Sequence, residues 1–320
     1  MIKYFLNHTT LYKYSNPVVE STNRIFLYPY NDMQQQLVTH KITVTGDPSI
    51  YSYLDEFNNR VGFFNYVSPH DLMVITSEAE IIVKESQELN YNLNIKTQNQ
   101  IMENMSKDIS FMPFLNIQPF FKKRKIKKII SELINYDDTI LVISKKLCEY
   151  THQNFTYKKG ITNVFSTPEE VWKLGFGVCQ DFTNILIQLC RLCKIPARYV
   201  SGYVFAKDGM VGAGATHAWV EVFIPNFGWY GLDPTNNCFT DKYHIRLAVG
   251  RSYNDCSPVK GVFKGNEKQE MKVKVRLDTV RNKKSNKINF DEISPEISSV
   301  NPVLSINSFQ KNQQIIQQQQ

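Results

Sequence analysis

Over the first 85 residues the apolar positions come in short runs separated by breakers. "LYKYS", "RIFLYPY", "HKITVTG", "GFFNYV" and "AEIIVKE" are β-branched or aromatic, punctuated by Asn-Pro, Gly-Asp-Pro and Ser-Pro-His. Such runs predict strands, and several at this spacing predict a compact antiparallel sheet or sandwich. Between 86 and about 120 the pattern dissolves into Asn-, Gln- and Met-rich sequence with two prolines, which suits a connection. The period then changes. Ile140, Ile143, Leu147 and Tyr150 recur every three or four residues, the stripe of a helix over about 137–153.

A second helix is predicted to open near Cys179. Phe182, Ile185, Leu186, Leu189 and Cys193 fall at i, i+3, i+4, i+7 and i+11 and make one buried face. Ile195-Pro196 ends it, because the residue before a proline is pushed out of the helical region. Strands follow in "ARYVSGYVF", "HAWVEVFI" and "GWYGLD". Beyond Leu277 the chain turns to Asn, Lys, Ser and Gln, and that tail is expected to be disordered for want of apolar content. The chain thus divides into a β domain (1–85), a connecting segment (86–136), an α+β core (137–277) and a tail (278–320).

Composition narrows the class. At 320 residues with 42% apolar and 12% aromatic content, most of the chain can bury a core. No apolar run approaches membrane-spanning length, and no sustained apolar segment marks a secretory signal at the N-terminus. The six cysteines lack framework spacing, so reduced thiols in a cytoplasmic protein are expected. The net charge of +7 owes six charges to one block, Lys122, Lys123, Arg124, Lys125, Lys127 and Lys128. The remainder is nearly balanced. A solvated helix face or linker explains the block better than a nucleic-acid or membrane contact, and neither an aromatic ladder nor a phosphate loop accompanies it.

The chemistry gathers at "GVCQDF". A cysteine opening a helix meets unpaired N–H groups and the positive end of the dipole, which favour thiolate and can also donate to an oxyanion. Alone, such a cysteine is more often plain packing. Downstream, however, "THAWVEVFIPNFGWYGLDPT" places His217 at the start of a strand and Asp233 at the end of the next. Cysteine, histidine and aspartate together suit a nucleophile, its base and the carboxylate that fixes the imidazole tautomer. A three-residue turn at Asn226-Phe227-Gly228 would pair Pro225 with Trp229 and set Asp233 opposite Glu221. Asp233 and His217 then share a face but stay offset along the strands.

"GVCQDF", "IPARYVSGY", "HAWVEVFIPNFGWYGLDPTN" and "HIRLAVGRSYNDCSPVKGVFKG" resemble the bacterial branch of the transglutaminase-like superfamily. "YSNPVVESTNRIFLYPYND" and "YLDEFNNRVGFF" resemble the β-rich domain that precedes the core in that branch. The resemblance runs over roughly 3–265 and implies a papain-like or transglutaminase-type core behind an antiparallel β domain. It implies Cys179 as nucleophile, His217 as base and Asp233 as orienter, attacking an amide to give a thioester. Protein or peptide substrates follow from it, with no cofactor and no metal. Water is the favoured acceptor, because the segment 207–216, "KDGMVGAGAT", is glycine-rich and could open the cleft to solvent. Amine transfer from glutamine is the alternative, and a non-catalytic scaffold the second.

Other residues are open to rival readings. Cys190-Arg-Leu-Cys193 has the form of a redox or zinc pair but lacks companion ligands, so packing is expected. Trp219 and Trp229 could wall a cleft or fill a core. His8, His70 and His244 are unplaced; His244 either lines the cleft or sits at a strand edge.

Overall fold

The computed structural model describes residues 1–85, 93–118, 123–163, 165–205, 209–265 and 267–281. The expected disordered tail therefore lies, from residue 282 onward, outside the described residues. Five strands open the chain: β1 (Ile2–Ile25), β2 (Gln35–Val44), β3 (Tyr51–Leu54), β4 (Arg60–Tyr66) and β5 (His70–Val83). Four helices follow: α1 (Ile95–Met105), α2 (Met112–Leu115), α3 (Lys123–Leu133) and α4 (Ile140–Asn154). Then come β6 (Thr156–Tyr157), α5 (Pro168–Leu174), β7 (Phe176–Gly177), α6 (Cys179–Leu192), β8 (Ala197–Val204), β9 (His217–Ile224) and β10 (Gly228–Asp233). The chain continues with β11 (Cys238–Phe239), β12 (His244–Gly250), α7 (Tyr253–Cys256), β13 (Val259–Lys264) and β14 (Gln269–Asp278).

The architecture is α+β, an antiparallel β unit joined to a core of the papain-like or transglutaminase type. The first sheet has the order β2-β5-β1-β4-β3. "LYKYS" is not a short strand of its own but the middle of β1, which runs for 24 residues. Asn16-Pro17 falls where the β1–β5 register breaks, between Lys13 and Val18. A proline with no N–H costs little at such a break, so the strand bends and changes partners instead of ending. Its first half lies between β5 and β14, and its last residues lie between β4 and β13. The two late strands β13 and β14 thus return to the N-terminal sheet.

Where the sequence suggested a structureless connection, α1 forms. Asn94 caps it through Oδ1 on the Lys96 amide, and buried Gln98 accepts from the Ile140 amide. In α3, Ile126 is buried while Arg124, Lys125, Lys127 and Lys128 are exposed, the arrangement of a helix with one solvated face. Among the described residues, no helix is long and apolar enough to cross a membrane.

The core sheet has the order β11-β10-β9-β8-β12. Phe182, Ile185, Leu186 and Leu189 of α6 join Ala218, Val220, Val222 and Ile224 of β9 in one apolar cluster. A second cluster sets Trp219 with Val200 and Val249 against Tyr30 and Phe57 of the N-terminal unit. Arg191 is buried at the end of α6 and donates to the carbonyls of Asn116, Ala197 and Arg251. One guanidinium thereby ties three segments to the helix.

Candidate active site

The helix that carries Cys179 begins abruptly, and its sequence explains how. Gly175 ends α5 in the left-handed region at φ 71° and turns the chain into the short β7. Val178 is extended, and the next residue is helical. Val178 has no polar side chain to cap the helix. Asp181 supplies the bond in reverse, its Oδ2 accepting from the Val178 amide at 2.8 Å and from Thr162 Oγ1 at 2.6 Å. Gly177 permits this approach, because a Cβ there would lie 2.6 Å from that of Asp181. Burial drives the Asp181 carboxyl up to about 6 against these two hydrogen bonds.

His217 opens β9, and its Nε2 lies 2.7 Å from Asp233 Oδ2, while Nδ1 is buried without a hydrogen-bond partner among the described residues. Cys179 lies close enough to act electrostatically on the ring, and with Nε2 occupied by the carboxylate, Nδ1 is the nitrogen left for the thiol. All three side chains are buried. Burial pulls the His217 pKa down, but the Asp233 carboxylate and Cys179 outweigh it and hold it at about 10. The Asp233 carboxyl is likewise opposed by burial, yet its partners keep it well below the usual range. Oδ1 accepts from the Thr235 and Asn236 amides, and Oδ2 from His217, Asn236 Nδ2 and His244 Nε2.

The strand register differs from the expected one. Gly228 pairs with Ile224 and Leu232 with Val220, so the turn is Pro225-Asn226-Phe227 and Gly228 follows it at φ 102°. Asp233 consequently comes across from Trp219 rather than Glu221, two residues from His217 instead of four. On one face that is a diagonal within side-chain reach, and the expected gap closes without a longer loop. Glu221 instead pairs with Arg198 and Arg246.

The stretch 209–216 covers the imidazole. Gly212 sits at φ 105°, and a Cβ there would come 2.3 Å from His217 Nδ1. Val211 exchanges two hydrogen bonds with the Asn236 side chain, and Gly214 accepts from the Val275 amide of β14. The described part of the segment is therefore tied at Val211 and Gly214, and its residues Lys207 and Asp208 lie outside the described residues.

The remaining candidates sort cleanly. Cys190 is packed inside α6 and Cys193 caps it; burial raises both thiols, that of Cys193 to about 12. Trp219 lies beneath both imidazoles, its ring 6.2 Å from that of His217 and 5.4 Å from that of His244. Trp229 stands away from them, among Phe111, Phe114 and Phe223 with Arg198 over its face. His8 bridges Tyr203 and Thr10, and His70 stacks on Tyr66. His244 opens the edge strand β12 and is buried against Asp233. Asp233, Cys238 and His244 also form a group with metal-ligand spacing. Sequence reading singled out neither Asn236 nor Gly212, whose significance lies only in what they touch.

A cysteine at a helix tip against a histidine–aspartate pair on an antiparallel sheet defines the transglutaminase and papain-like class. Residues 128–234 match the transglutaminase-like superfamily, and residues 4–82 match the bacterial transglutaminase-like N-terminal region. The chain thus carries a transglutaminase-like core behind a bacterial transglutaminase-like N-terminal region, which at family level supports a cysteine-type enzyme. An uncharacterized protein of Mycobacterium tuberculosis is 29% identical over 291 residues, 87% of this chain and 92% of that one. A protein-glutamine gamma-glutamyltransferase of Pseudomonas aeruginosa is 28% identical over 102 residues, 29% of this chain and 15% of that one. The crystal structure of a candidate cysteine protease from Cytophaga hutchinsonii shares the fold with a TM-score of 0.66. It is 19% identical and covers 88% of this chain and 92% of its own.

Proposed function

We propose that the protein is a thiol-dependent acyl-transfer enzyme acting on amide or peptide bonds, with Cys179 as nucleophile, His217 as base and Asp233 as its orienting carboxylate. The observation that carries this reading is the buried His217–Asp233 pair, with Nε2 and Oδ2 2.7 Å apart and Nδ1 left unpaired beside the buried Cys179. The Cys179 thiolate adds to the amide carbonyl carbon. Amides at the tip of α6 face the oxyanion, since the helix dipole points there. As the C–N bond breaks, the imidazolium proton passes to the leaving amine and a thioester remains. Water then attacks the thioester, His217 takes its proton, and the acid departs as the thiol is restored.

Water is the favoured acceptor. The cover over His217 is built of glycines and small residues, and its opening for substrate admits solvent along the same path. Amine transfer is the second reading, favoured by the similarity to the Pseudomonas aeruginosa transferase. Incubating glutamine-containing peptides with the protein, with and without a millimolar primary amine, separates the two by mass. Ammonia release exceeding amine incorporation is expected; the reverse establishes a transglutaminase in the strict sense. Iodoacetamide near neutral pH should label Cys179 ahead of Cys190 and Cys193, and Cys179→Ala should abolish turnover. Turnover retained by Cys179→Ala would remove the thiol from the reaction.

A further inference from the structure

Asp233 does not serve His217 alone. Its Oδ2 lies 3.3 Å from His244 Nε2 as well as 2.7 Å from His217 Nε2. On the far side of the second imidazole, Nδ1 accepts from the Asp241 amide at 3.2 Å and stands 3.1 Å from Asp241 Oδ1. Cys238, register partner of Asp233, has its sulfur within 4.8 Å of a nitrogen of the same ring. Lys84, Glu221 and Arg246 line a crevice of about 40 Å³ beside it. Around His217 itself the ionisable neighbours are Cys179 and Asp233, with His244 across the shared oxygen.

Because Nδ1 of His244 accepts from the Asp241 amide, Nε2 is the protonated nitrogen and donates to Asp233 Oδ2. Two imidazoles thus hold the same carboxylate oxygen, and with Asn236 Nδ2 they fix where that carboxylate points. We propose that His244 is a positioning residue for the reaction above, holding Asp233 in the orientation that His217 needs. The proposal rests on the assignment of the three buried residues as the reacting set.

Chemistry supplies a signature that a merely structural role lacks. Without the second donor, Asp233 is less well held and His217 loses alignment, so the chemical step slows while substrate binding is kept. The test uses His244→Asn, which keeps an acceptor for the Asp241 amide but is too short to reach Asp233, and His244→Gln, whose amide N–H can replace the ring donor. kcat and KM are measured on a glutamine-containing peptide, with thermal unfolding to confirm that both variants are folded. His244→Asn should lower kcat about tenfold at unchanged KM, and His244→Gln should recover most of that loss. Equal loss in the two folded variants, or a rise in KM with kcat kept, overturns the role of His244. Peptide turnover surviving in Cys179→Ala overturns the underlying triad instead, so the two failures are distinguishable.

Discussion

Replacing Gly212 by alanine tests how closely the cover is fitted to His217, the proposed base. Two costs arise from one methyl group. The backbone is at φ 105°, where an L-residue with a Cβ is strained by about 1–2 kcal/mol. The new Cβ would also stand 2.3 Å from His217 Nδ1, against an ordinary contact of about 3.5–4 Å. Something must therefore yield by about 1 Å. The imidazole is tied to Asp233 at 2.7 Å, and the cover is tied through Val211 to Asn236. If the ring gives way, Nδ1 is displaced from the position proposed for it beside the thiol, and a displacement of that size costs about 10² in rate, equivalent to about 2.7 kcal/mol of barrier. Gly214 provides the control, with φ at 83° and nothing within 4 Å of an added Cβ. Gly214→Ala carries the backbone strain without the contact. The assay is peptide turnover with thermal unfolding on both variants. Both should lose a few degrees in Tm, and only Gly212→Ala should lose about 10² in kcat. Equal turnover in the two variants would refute the close fit of the cover on His217.

Other perturbations reach different parts of the structure. Asp233→Asn should leave a folded chain with kcat lowered by about 10³–10⁴, since an amide cannot hold the imidazolium or its tautomer; a loss under tenfold would count against the orienting role. Asp181 is expected to make stability fall with rising pH. Its folded pKa of about 6 lies above the unfolded value of about 3.9, so the fold binds the extra proton and loses that stabilisation between them. Asp181→Asn keeps an acceptor for Thr162 and Val178, and should raise stability at pH 7.5 by about 2 kcal/mol and flatten the pH 4–6 slope in urea titrations. An unchanged slope would show that another group titrates. Arg191→Met strands the buried Ala197 carbonyl, removes the donor from the part-buried carbonyls of Asn116 and Arg251, and should cost about 2–3 kcal/mol in urea unfolding; a cost under about 1 kcal/mol would mean that water replaces the guanidinium.

Much was legible in the order of residues. The periods of two and of 3.6 located β8, β9, β10, α4 and α6 within a few residues, because burial of one face leaves its rhythm in the chain. The three reacting candidates were also legible, since helix tip, strand start and strand end are local properties. The connection at 86–120 misled for a local reason: α1 buries little and is held by Asn94 and Gln98, whose polar side chains read as loop.

Three features depended on how distant segments meet. Whether β1 ends or bends at Asn16-Pro17 turns on the partners waiting on either side, and those are β4, β5, β13 and β14, up to the far end of the chain. The reach from Asp233 to His217 turned on which residues form the turn, a one-residue shift of the turn that moves each pairing by two and that no propensity fixes, since Asn226 and Gly228 both tolerate positive φ. His244 lies eleven residues beyond Asp233 with nothing in "KYHIRLAVG" to mark it. It becomes part of the site because the core sheet carries its strand back to a carboxylate already bonded to another histidine. Sequence determines which chemical groups are present and which face each occupies. The number of groups that share one buried charge is decided by tertiary packing, because electrostatic coupling follows distance in space rather than separation along the chain.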